Sequence, residues 1–551
     1  MKEHIYKIVL ATVSVCLMLL LVCAEYDREN IHEETNLFFQ IDNEVIRTWE
    51  NNGVQYLFLP SFVNETEVLL APYSPEFYVI SQKEKNATGE SIGDILKNKT
   101  MACQFLETGE KFDLCIMQSK NIPALFIDTE SGSLDELKED KEHVVSGTVQ
   151  GVTSEGEWET AVAIKTIGGR GNTSFAGYDK KPYAFTLNEE VSLLGLPKGE
   201  KYALISNASD PSLVRNDIAR RMEMALELRF SHPGQFVDLY VNGEYEGNYY
   251  LCHSMDVGEE RINISDMEAV VDFVYKYRNY ESEEVFETAS VKARKIMINP
   301  KNISGGYLIE REYGQRFEYE YEDIDSAFIT EEDEHFVVKS PRYCSVEQIH
   351  YIYGYVNEAE KAILSDNGKN LDTGRHYSDY IDVSSFVKKY LVEEVSKNYD
   401  AGVSSSFYYK DRDANGGKLC AAPGWDYDMS LGNYVEWMEE FSGDPTGISE
   451  LAFHTYASSW HTALYQKDDF YPLIVSDYWQ YLEPFLQHLI DSGIAEYEEK
   501  LQASAKMNEI RWKEELLENP YYENRSQVFD DLLNFISTRK AYLDQTWVMN
   551  E

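Results

Sequence analysis

Two strand-like segments that are joined by an Asn-Gly turn and flanked by aspartates constrain the fold of this chain most. The segments are SFYYKD and KLCAAP, and the Asn415-Gly416 pair between them is a strong hairpin signal. The preceding stretch, DVSSFVKKYLVEEVSKN, predicts a helix with Asp382 as its N-cap that ends just before Asp400. Each arm of the hairpin rises about 3.3 Å per residue, so the return strand brings Asp426 beside the segment after Asp400. The pattern therefore predicts two neighbouring carboxylates.

This order of elements suits phosphoryl transfer. A helix, a loop aspartate, a hairpin and a second aspartate follow one another in the same order in protein kinases. There, one carboxylate orients the acceptor hydroxyl and takes its proton, and the other holds the metal that bridges the ATP phosphates. Aspartate also favours turns, so a calcium site or a purely structural carboxylate pair fits Asp400 and Asp426 equally well.

A glycine-rich block with three cations, GGRGNTSFAGYDKKPYAFTL, lies upstream. Its glycines permit close backbone approach, and Arg170, Lys180 and Lys181 supply positive charge in a chain with few cations to spare. The combination suits a phosphate ligand, and an ordinary glycine-rich hairpin with solvated lysines is the alternative. Neither a GxxxxGK[ST] loop nor a GxGxxG motif occurs in this block.

The stretch SDPSLVRNDIARRMEMALEL predicts a helix in the position that the C-helix takes in kinases. Asp210 suits the N-cap and Pro211 the first helical position. A buried stripe at helical spacing is predicted for Leu213, Ile218, Met222 and Leu226.

Together these blocks resemble the spore coat protein H (CotH) kinase family. The matching blocks, in order, are GRGNTSF, KKPYAFTL, DPSLVRNDIARRM, VDLYVNGEYEGNYYL, GGYLIERE, YDAGVSSSFYYKD and PGWDYDMSLGN. The resemblance implies an atypical kinase fold that binds ATP with Mg²⁺ or Mn²⁺ and phosphorylates protein hydroxyls. The best-known substrates in the family are serines of basic spore coat proteins.

The resemblance also implies roles for individual residues. By motif match, Asp400 is the catalytic aspartate and Asp426 the metal ligand, with Asp428 as a second candidate for the same metal. The basic and amide residues on the cofactor side are Arg170, Lys180, Lys181, Arg215 and Asn216. At two positions the chain departs from the family pattern, because Ser405 stands where many members have Asn and His253 where many have Glu.

The hydrophobic pattern predicts an α+β chain with several parts, since 551 residues exceed what one core usually supports. Residues 25–118 show short β-branched and aromatic runs, which predict a small β-rich domain. Residues 119–450 carry the CotH kinase-like pattern, and residues 451–551 become helical in periodicity. Residues 1–24 read as a signal peptide.

The prediction of export rests on this first segment. Lys2 and Lys7 precede the apolar run IVLATVSVCLMLLLVCA, which ends in small residues that favour cleavage near Ala24. The mature protein is then secreted or held at the cell surface. An uncleaved anchor and lipidation at Cys23 remain open as the two routes of membrane attachment.

The net charge narrows the choice of partners, and the cysteine content limits the possible disulfides. A formal net charge of -46 repels nucleic acid and anionic membranes and attracts a basic protein substrate, although solubility alone also explains such an excess. The family resemblance adds that this substrate is Ser-rich. The five cysteines that follow the signal peptide make no complete disulfide framework, and Cys103 and Cys115 are near enough in sequence to bridge a hairpin.

Two functions therefore compete. The leading hypothesis is a secreted or surface-attached protein kinase that transfers the ATP γ-phosphoryl group to protein hydroxyls. The alternative is a non-catalytic surface or coat protein that keeps the kinase-like fold for binding.

Overall fold

The computed structural model describes residues 36–64, 68–80, 85–86, 100–268, 284–295, 299–400, 404–433, 443–448, 459–512 and 525–549. The predicted signal peptide and its cleavage point lie outside these residues. In the described part of the chain, no helix combines the length and the apolar character that crossing a membrane requires.

The N-terminal region consists of two small sheets, in agreement with the predicted β-rich character. One has three antiparallel strands in the order Glu44–Arg47, Phe38–Ile41, Val68–Leu70. The strands of the other, in spatial order, are Trp49–Asn51, Val54–Leu59, Lys111–Gln118, Thr100–Phe105, Phe77–Val79 and Lys85–Asn86. Apolar side chains of both sheets share a core with Phe126, Tyr240 and Met507, so the region packs on the elements that follow it.

A closed seven-stranded barrel comes next. Its strands, in spatial order, are Ala124–Thr129, Val144–Val152, Val162–Gly169, Tyr183–Val191, Gly199–Ile205, Glu244–His253 and Gln235–Val241. Neighbouring strands are antiparallel except for the first and last, which pair in parallel and close the barrel. Leu125, Ile127, Val149 and Leu239 are among the buried side chains that fill it.

A second, antiparallel sheet carries the predicted hairpin. Its strands, in spatial order, are Val285–Glu287, Val291–Arg294, Ala327–Ile329, His335–Ser340, Tyr307–Glu312, Ser406–Lys410 and Leu419–Ala421. The last two pair with Tyr408 opposite Ala421, which confirms the hairpin. Gly416 and Gly417 carry its turn with φ of +104° and +55°, values that favour glycine.

Helices pack against this sheet and beside the barrel. The α-helices are Asp135–Glu139, Thr173–Gly177, Arg215–Ala225, Gly314–Glu320, Val346–Leu364, Val383–Ser396, Ser459–Tyr465, Tyr471–Asp477, Glu483–His488, Ile494–Arg511 and Arg525–Thr546. Two π-helical turns, Tyr478–Leu482 and Leu489–Gly493, make residues 471–511 one continuous helical run. The helical character predicted for the C-terminal region agrees with this arrangement.

The helix before Asp400 forms as predicted. Asp382 is its N-cap and accepts a hydrogen bond from the Ser385 N–H at 2.8 Å. Its predicted apolar face is buried, and the side chains of Phe386 and Tyr390 pack in the same core as Trp460 and Phe535. Side chains from both sides of residue 450 thus share one core, and the division placed at that residue stays a prediction.

The helix after Asp210 begins later than predicted. It runs over Arg215–Ala225, although its apolar stripe is buried as expected. Asp210 accepts hydrogen bonds from the Ser212 and Arg215 N–H groups and also forms an ion pair with the Arg215 guanidinium. The carboxylate therefore folds a tight turn ahead of the helix, which delays the helical start by about one turn.

The cysteine bridge that the sequence left open does not form. Cys103 lies opposite Phe112 in the strand register and Cys115 lies opposite Thr100, so the two are not cross-strand neighbours. Both thiols are free.

A buried ion pair fastens the last helix to the helix before Asp400. Arg539 and Glu394 are each at most 1% exposed, and the Arg539 guanidinium also donates to the Gly447 carbonyl at 2.6 Å. Arg539→Met leaves the Glu394 carboxylate buried without its ion-pair partner, and we expect it to lower the free energy of unfolding by about 3–5 kcal/mol.

Chemical denaturation measures this loss. The neighbouring Lys540 pairs with Glu483 and Asp544, whose carboxylates are about a quarter exposed, so Lys540→Met serves as the control and costs about 0–1 kcal/mol. Equal losses in the two variants would contradict the anchoring role of Arg539.

Candidate active site

Backbone hydrogen bonds join the Asp400 segment to the loop that carries Asp426. Lys397, with φ of +50°, ends the preceding helix. Ser396, just before Lys397, accepts a hydrogen bond on its carbonyl from the Leu431 N–H at 2.7 Å. Tyr399, just after Lys397, donates its N–H to the Met429 carbonyl at 3.4 Å. The predicted approach of the two aspartate segments is thereby confirmed.

Three carboxylates interact electrostatically at this junction. Burial raises the pKa of Asp400 to about 7, with further contributions from the negative charges of Asp426 and Glu312. Burial and Asp426 likewise raise the pKa of Asp428 to about 8, although a hydrogen bond from the Ser209 hydroxyl opposes the rise. Burial is the largest cause of both rises, and the neighbouring Asp426 charge adds to it.

The Arg215–Ala225 helix holds the Asp426 loop on both sides of the aspartate. The Asn216 Oδ1 atom accepts from the Tyr427 N–H at 2.9 Å, and the Arg215 Nε–H donates to the Ser430 carbonyl at 2.9 Å. On the other side, the Glu223 carboxylate accepts from the Gly424 N–H. Arg215 and Asn216, expected on the cofactor side, thus bind the backbone of the aspartate loop.

A buried polar network connects this loop to the helix before Asp400. Lys389 and Glu393 form an ion pair with both side chains 2% exposed, and the Tyr427 hydroxyl donates to Glu393 at 2.9 Å. The Asn398 amide donates to the other Glu393 oxygen at 3.0 Å. One carboxylate therefore links the helix before Asp400 to the loop after Asp426, which fixes the two segments relative to each other.

The three predicted cations have different environments. The Arg170 guanidinium lies 4.9 Å from the ring centroid of Trp425, the residue before Asp426. Lys180 is 1% exposed and donates to the carbonyls of residues 206 and 248, at 2.7 Å and 2.6 Å. Lys181 donates to the Phe175 carbonyl at 2.7 Å. Arg170 thus contacts the aspartate loop, whereas both lysines bind backbone carbonyls.

Arg220 was not predicted for the site. It is 7% exposed, and its guanidinium lies 5.4 Å from the same Trp425 ring centroid. A sequence signal for it exists. Asn216, Arg220 and Glu223 stand at positions i, i+4 and i+7 of one helix, so they form a polar stripe on a single face. That face meets the aspartate loop.

A comparison with protein families agrees with these observations. The model of the family described as CotH kinase protein matches residues 167–543, about two thirds of the chain. The chain belongs to this family. No curated protein matches it. The CotH match contains every residue predicted for the site and extends beyond the blocks that carried the resemblance, into the helix that holds Arg539.

The donor chemistry of the CotH site fits a divalent metal that arrives with a nucleotide. In the described residues, no group of three or more His, Cys, Asp or Glu side chains is placed to hold a metal ion. Mg²⁺ usually takes one or two protein carboxylates and completes its shell with water and substrate phosphates. Asp426 and Asp428 offer such carboxylates, and a bound cation would oppose the rise in pKa that burial and the Asp426 charge cause at Asp400 and Asp428.

The two departures from the CotH pattern occupy packed positions. The Nε2 atom of His253 lies 2.7 Å from the Pro197 carbonyl and its ring centroid 4.5 Å from that of Tyr202. Burial lowers the pKa of His253 to about 4, so the ring is neutral at physiological pH. Ser405 is 7% exposed with φ of +52°.

The raised carboxylate pKa values predict a pH dependence of stability. An unfolded Asp titrates near pH 4, whereas Asp400 and Asp428 titrate at about 7 and about 8 in the fold. Between these limits the folded state binds more protons than the unfolded state, so these groups destabilise the fold progressively as the pH rises from about 4 to about 8. We expect the Asp400→Asn, Asp428→Asn double variant to gain melting temperature relative to wild type as the pH increases.

Melting curves of both proteins in a pH series test this expectation. The difference between them isolates the two carboxylates from all other titrating groups. A difference that stays constant from about pH 5 to about pH 8 would contradict the raised pKa values of these two buried carboxyl groups.

Proposed function

We propose that the protein is a protein kinase that transfers the γ-phosphoryl group of ATP to serine hydroxyls of a protein substrate. The single observation that carries this proposal is the pairing of the Asp400 segment with the Asp426 loop, which brings the two carboxylates into electrostatic contact. Membership of the CotH kinase family supports it. ATP and a bound Mg²⁺ or Mn²⁺ would supply the phosphoryl group and neutralise its charge.

The chain's own residues divide the remaining work. Asp400 orients the acceptor hydroxyl and takes its proton, and a pKa of about 7 suits a base that works near neutral pH. Asp426 and Asp428 would hold the metal, while Asn216 and Arg215 fix the backbone from which both carboxylates project. These contacts hold the backbone of the aspartate loop through residues of the chain itself, as preorganisation of such a site requires.

The charge of the chain favours a basic substrate. Glu312, whose charge acts on Asp400, is buried and paired with Arg316, whereas Glu318 and Glu322 are exposed on the segment that follows them. Together with the net charge of -46, this acidic surface attracts Lys- and Arg-rich peptides. We therefore propose a basic, Ser-rich protein as the substrate of an exported or surface-attached enzyme.

Intact-mass spectrometry tests the proposed reaction. The chain from Glu25, the predicted start of the mature protein, is incubated with ATP and Mn²⁺, alone and with a basic Ser-rich peptide. We expect the mass of one or more phosphate groups to be added and fragment spectra to place them on Ser. Samples with a non-hydrolysable ATP analogue provide the control.

A non-catalytic role is the second candidate, and Ser405 is the observation that favours it. This hydroxyl replaces the amide that many family members offer as a second metal ligand, and it is a weaker donor to the metal. A protein that ATP and Mn²⁺ stabilise but that never acquires phosphate, on itself or on the peptide, would be a binding protein with a kinase-like site.

A further inference from the structure

The glycine-rich block is fixed at two points. At the first, the Arg170 guanidinium lies 4.9 Å from the ring centroid of Trp425, the residue before Asp426. At the second, the Asn172 amide donates a hydrogen bond to the Glu320 carboxylate at 2.6 Å. These two residues are 148 positions apart in the sequence, so the contact exists only in the folded chain. The first contact places the block against the Asp426 loop, and the second places it against another element of the fold.

The backbone and a further hydrogen bond define the second contact. Gly171 has φ of +75°, and a Cβ atom there would lie 2.4 Å from the Ser174 hydroxyl oxygen, so the turn before Asn172 requires glycine. The Lys141 ammonium donates to the Asn172 Oδ1 atom at 2.8 Å. Because the amide oxygen is occupied in this way, the amide N–H group is the one that faces the Glu320 carboxylate.

Glu320 is the last residue of a short helix, Gly314–Glu320, that begins beside the Asp400 segment. The strand before this helix, Tyr307–Glu312, pairs with Ser406–Lys410, the strand that follows Asp400. Residues 311 and 406 are opposite each other, so the chain leaves the sheet toward the helix at the same end where it arrives from Asp400. The helix therefore lies next to the segment that carries the predicted catalytic carboxylate.

Arg316 connects Glu320 to the surroundings of Asp400. Its guanidinium pairs with Glu312 and with Glu320, each at 3.2 Å. The charge of Glu312 raises the pKa of Asp400 and the charge of Arg316 lowers it, so both act on this carboxyl group. The contacts thus run from Asn172 through Glu320 and Arg316 to the neighbourhood of Asp400. The glycine-rich block consequently reaches both aspartate segments.

We propose that Glu320 is a positioning residue that, through its hydrogen bond with Asn172, holds the glycine-rich block between the Asp400 and Asp426 segments. This inference rests on the proposed function, because the reaction that it serves is phosphoryl transfer. Catalysis of that reaction depends mostly on positioning and electrostatic stabilisation. A block that loses one of its two fixed points should therefore transfer phosphate more slowly.

Initial rates of phosphate transfer to a basic Ser-rich peptide test the proposal. Glu320→Ala removes the acceptor for the Asn172 amide, and we expect it to lower kcat about 10-fold or more. Glu320→Gln keeps an oxygen acceptor for this amide and loses only the charge that pairs with Arg316, so it should retain most of the wild-type rate. Gln315→Ala, at an exposed position of the same helix, is the control and should match wild type.

A double-mutant cycle assigns the effect to the contact. If Glu320 acts through Asn172, then Asn172→Ala slows transfer to a similar extent, and the double variant with both alanines is no slower than either single variant. Effects that multiply would overturn the inference, and so would a rate of Glu320→Gln as low as that of Glu320→Ala. The melting temperatures should stay near that of wild type, because the Glu320 side chain is 32% exposed and such ion pairs contribute little to stability.

Hydrogen exchange of residues 170–177 separates failure of this inference from failure of the proposed function. Mass spectrometry measures it for wild type and the same variants without ATP, so the result does not depend on catalysis. We expect faster exchange in this block for Glu320→Ala than for wild type, Glu320→Gln and Gln315→Ala. Unchanged exchange in Glu320→Ala overturns the inference even where wild type is an active kinase. A wild type that transfers no phosphate overturns the kinase proposal, while the exchange comparison still decides whether Glu320 holds the block.

Discussion

Replacing Asp426 with asparagine is expected to abolish the stabilisation of the protein by ATP and Mn²⁺ while the fold stays intact. A neutral amide cannot supply the charge that a carboxylate gives to a metal bridging phosphates. The loop itself is held by contacts of Asn216, Arg215 and Glu223, so it does not depend on the Asp426 side chain. Asn also tolerates the φ of +69° at this position, because its short polar side chain visits the left-handed region readily.

Thermal unfolding with and without ATP and Mn²⁺ measures the effect. A ligand at about 100 times its dissociation constant stabilises a fold by about 2.7 kcal/mol, which gives a clear shift for wild type. The variant should show no shift, and its own melting temperature should equal or exceed that of wild type, since one charge leaves a repulsive cluster. Asp413→Asn, in the exposed turn of the hairpin, serves as the control. If ATP and Mn²⁺ raised the melting temperature of Asp426→Asn as much as that of wild type, Asp426 would not be a metal ligand.

The second large effect concerns Asp400. Asp400→Ala should leave the affinity for ATP and metal nearly unchanged and lower the rate of phosphoryl transfer about 100-fold or more, the scale of losing a positioned general base. The variant would then still bind ATP and metal but would transfer phosphate far more slowly. In contrast, a purely structural aspartate at a helix end would cost about 1 kcal/mol of stability and change the rate only as far as folding changes.

The pH dependence of the rate adds an independent readout. With a pKa of about 7 in the free protein, Asp400 becomes an effective base as the pH rises through neutrality, and a bound cation moves that transition to lower pH. We expect the wild-type rate to rise with pH and the Asp400→Ala rate to lose this rise. Parallel profiles for the two proteins would contradict the role of Asp400 as a base.

Local chemistry made part of this fold predictable. Asp382 before an apolar helical stripe and the Asn415-Gly416 turn each act over a few residues, and both formed as expected. The approach of Asp400 to Asp426 follows from those two elements. The late start of the Arg215–Ala225 helix, which lies upstream of both, was not predictable, because the Asp210 carboxylate forms an ion pair with Arg215 in the turn before the helix.

Tertiary contacts decided the rest. The sequence around Lys180 does not indicate that its ammonium group donates to the carbonyls of Ser206 and Asn248, because these residues are distant in sequence and meet Lys180 only in the folded barrel region. Arg220 lies at the aspartate loop because the helix face that carries it contacts Trp425, a residue about 200 positions later in the sequence. Cation roles at such a site depend on which carbonyls and rings the fold places nearby, and composition cannot supply that information.

The initial rate of phosphate transfer from γ-labelled ATP, measured for wild type and Asp400→Ala at matched ATP occupancy, tests the central claim most directly. Occupancy is set from the dissociation constants of the same preparations, so that any difference lies in transfer and not in binding. Wild type is expected to label Ser on itself or on a basic peptide in the presence of Mn²⁺, and Asp400→Ala to do so at least about 100-fold more slowly. Wild type that binds ATP yet transfers no label, or equal rates in the two proteins, would contradict a phosphoryl-transfer site built on Asp400 and Asp426.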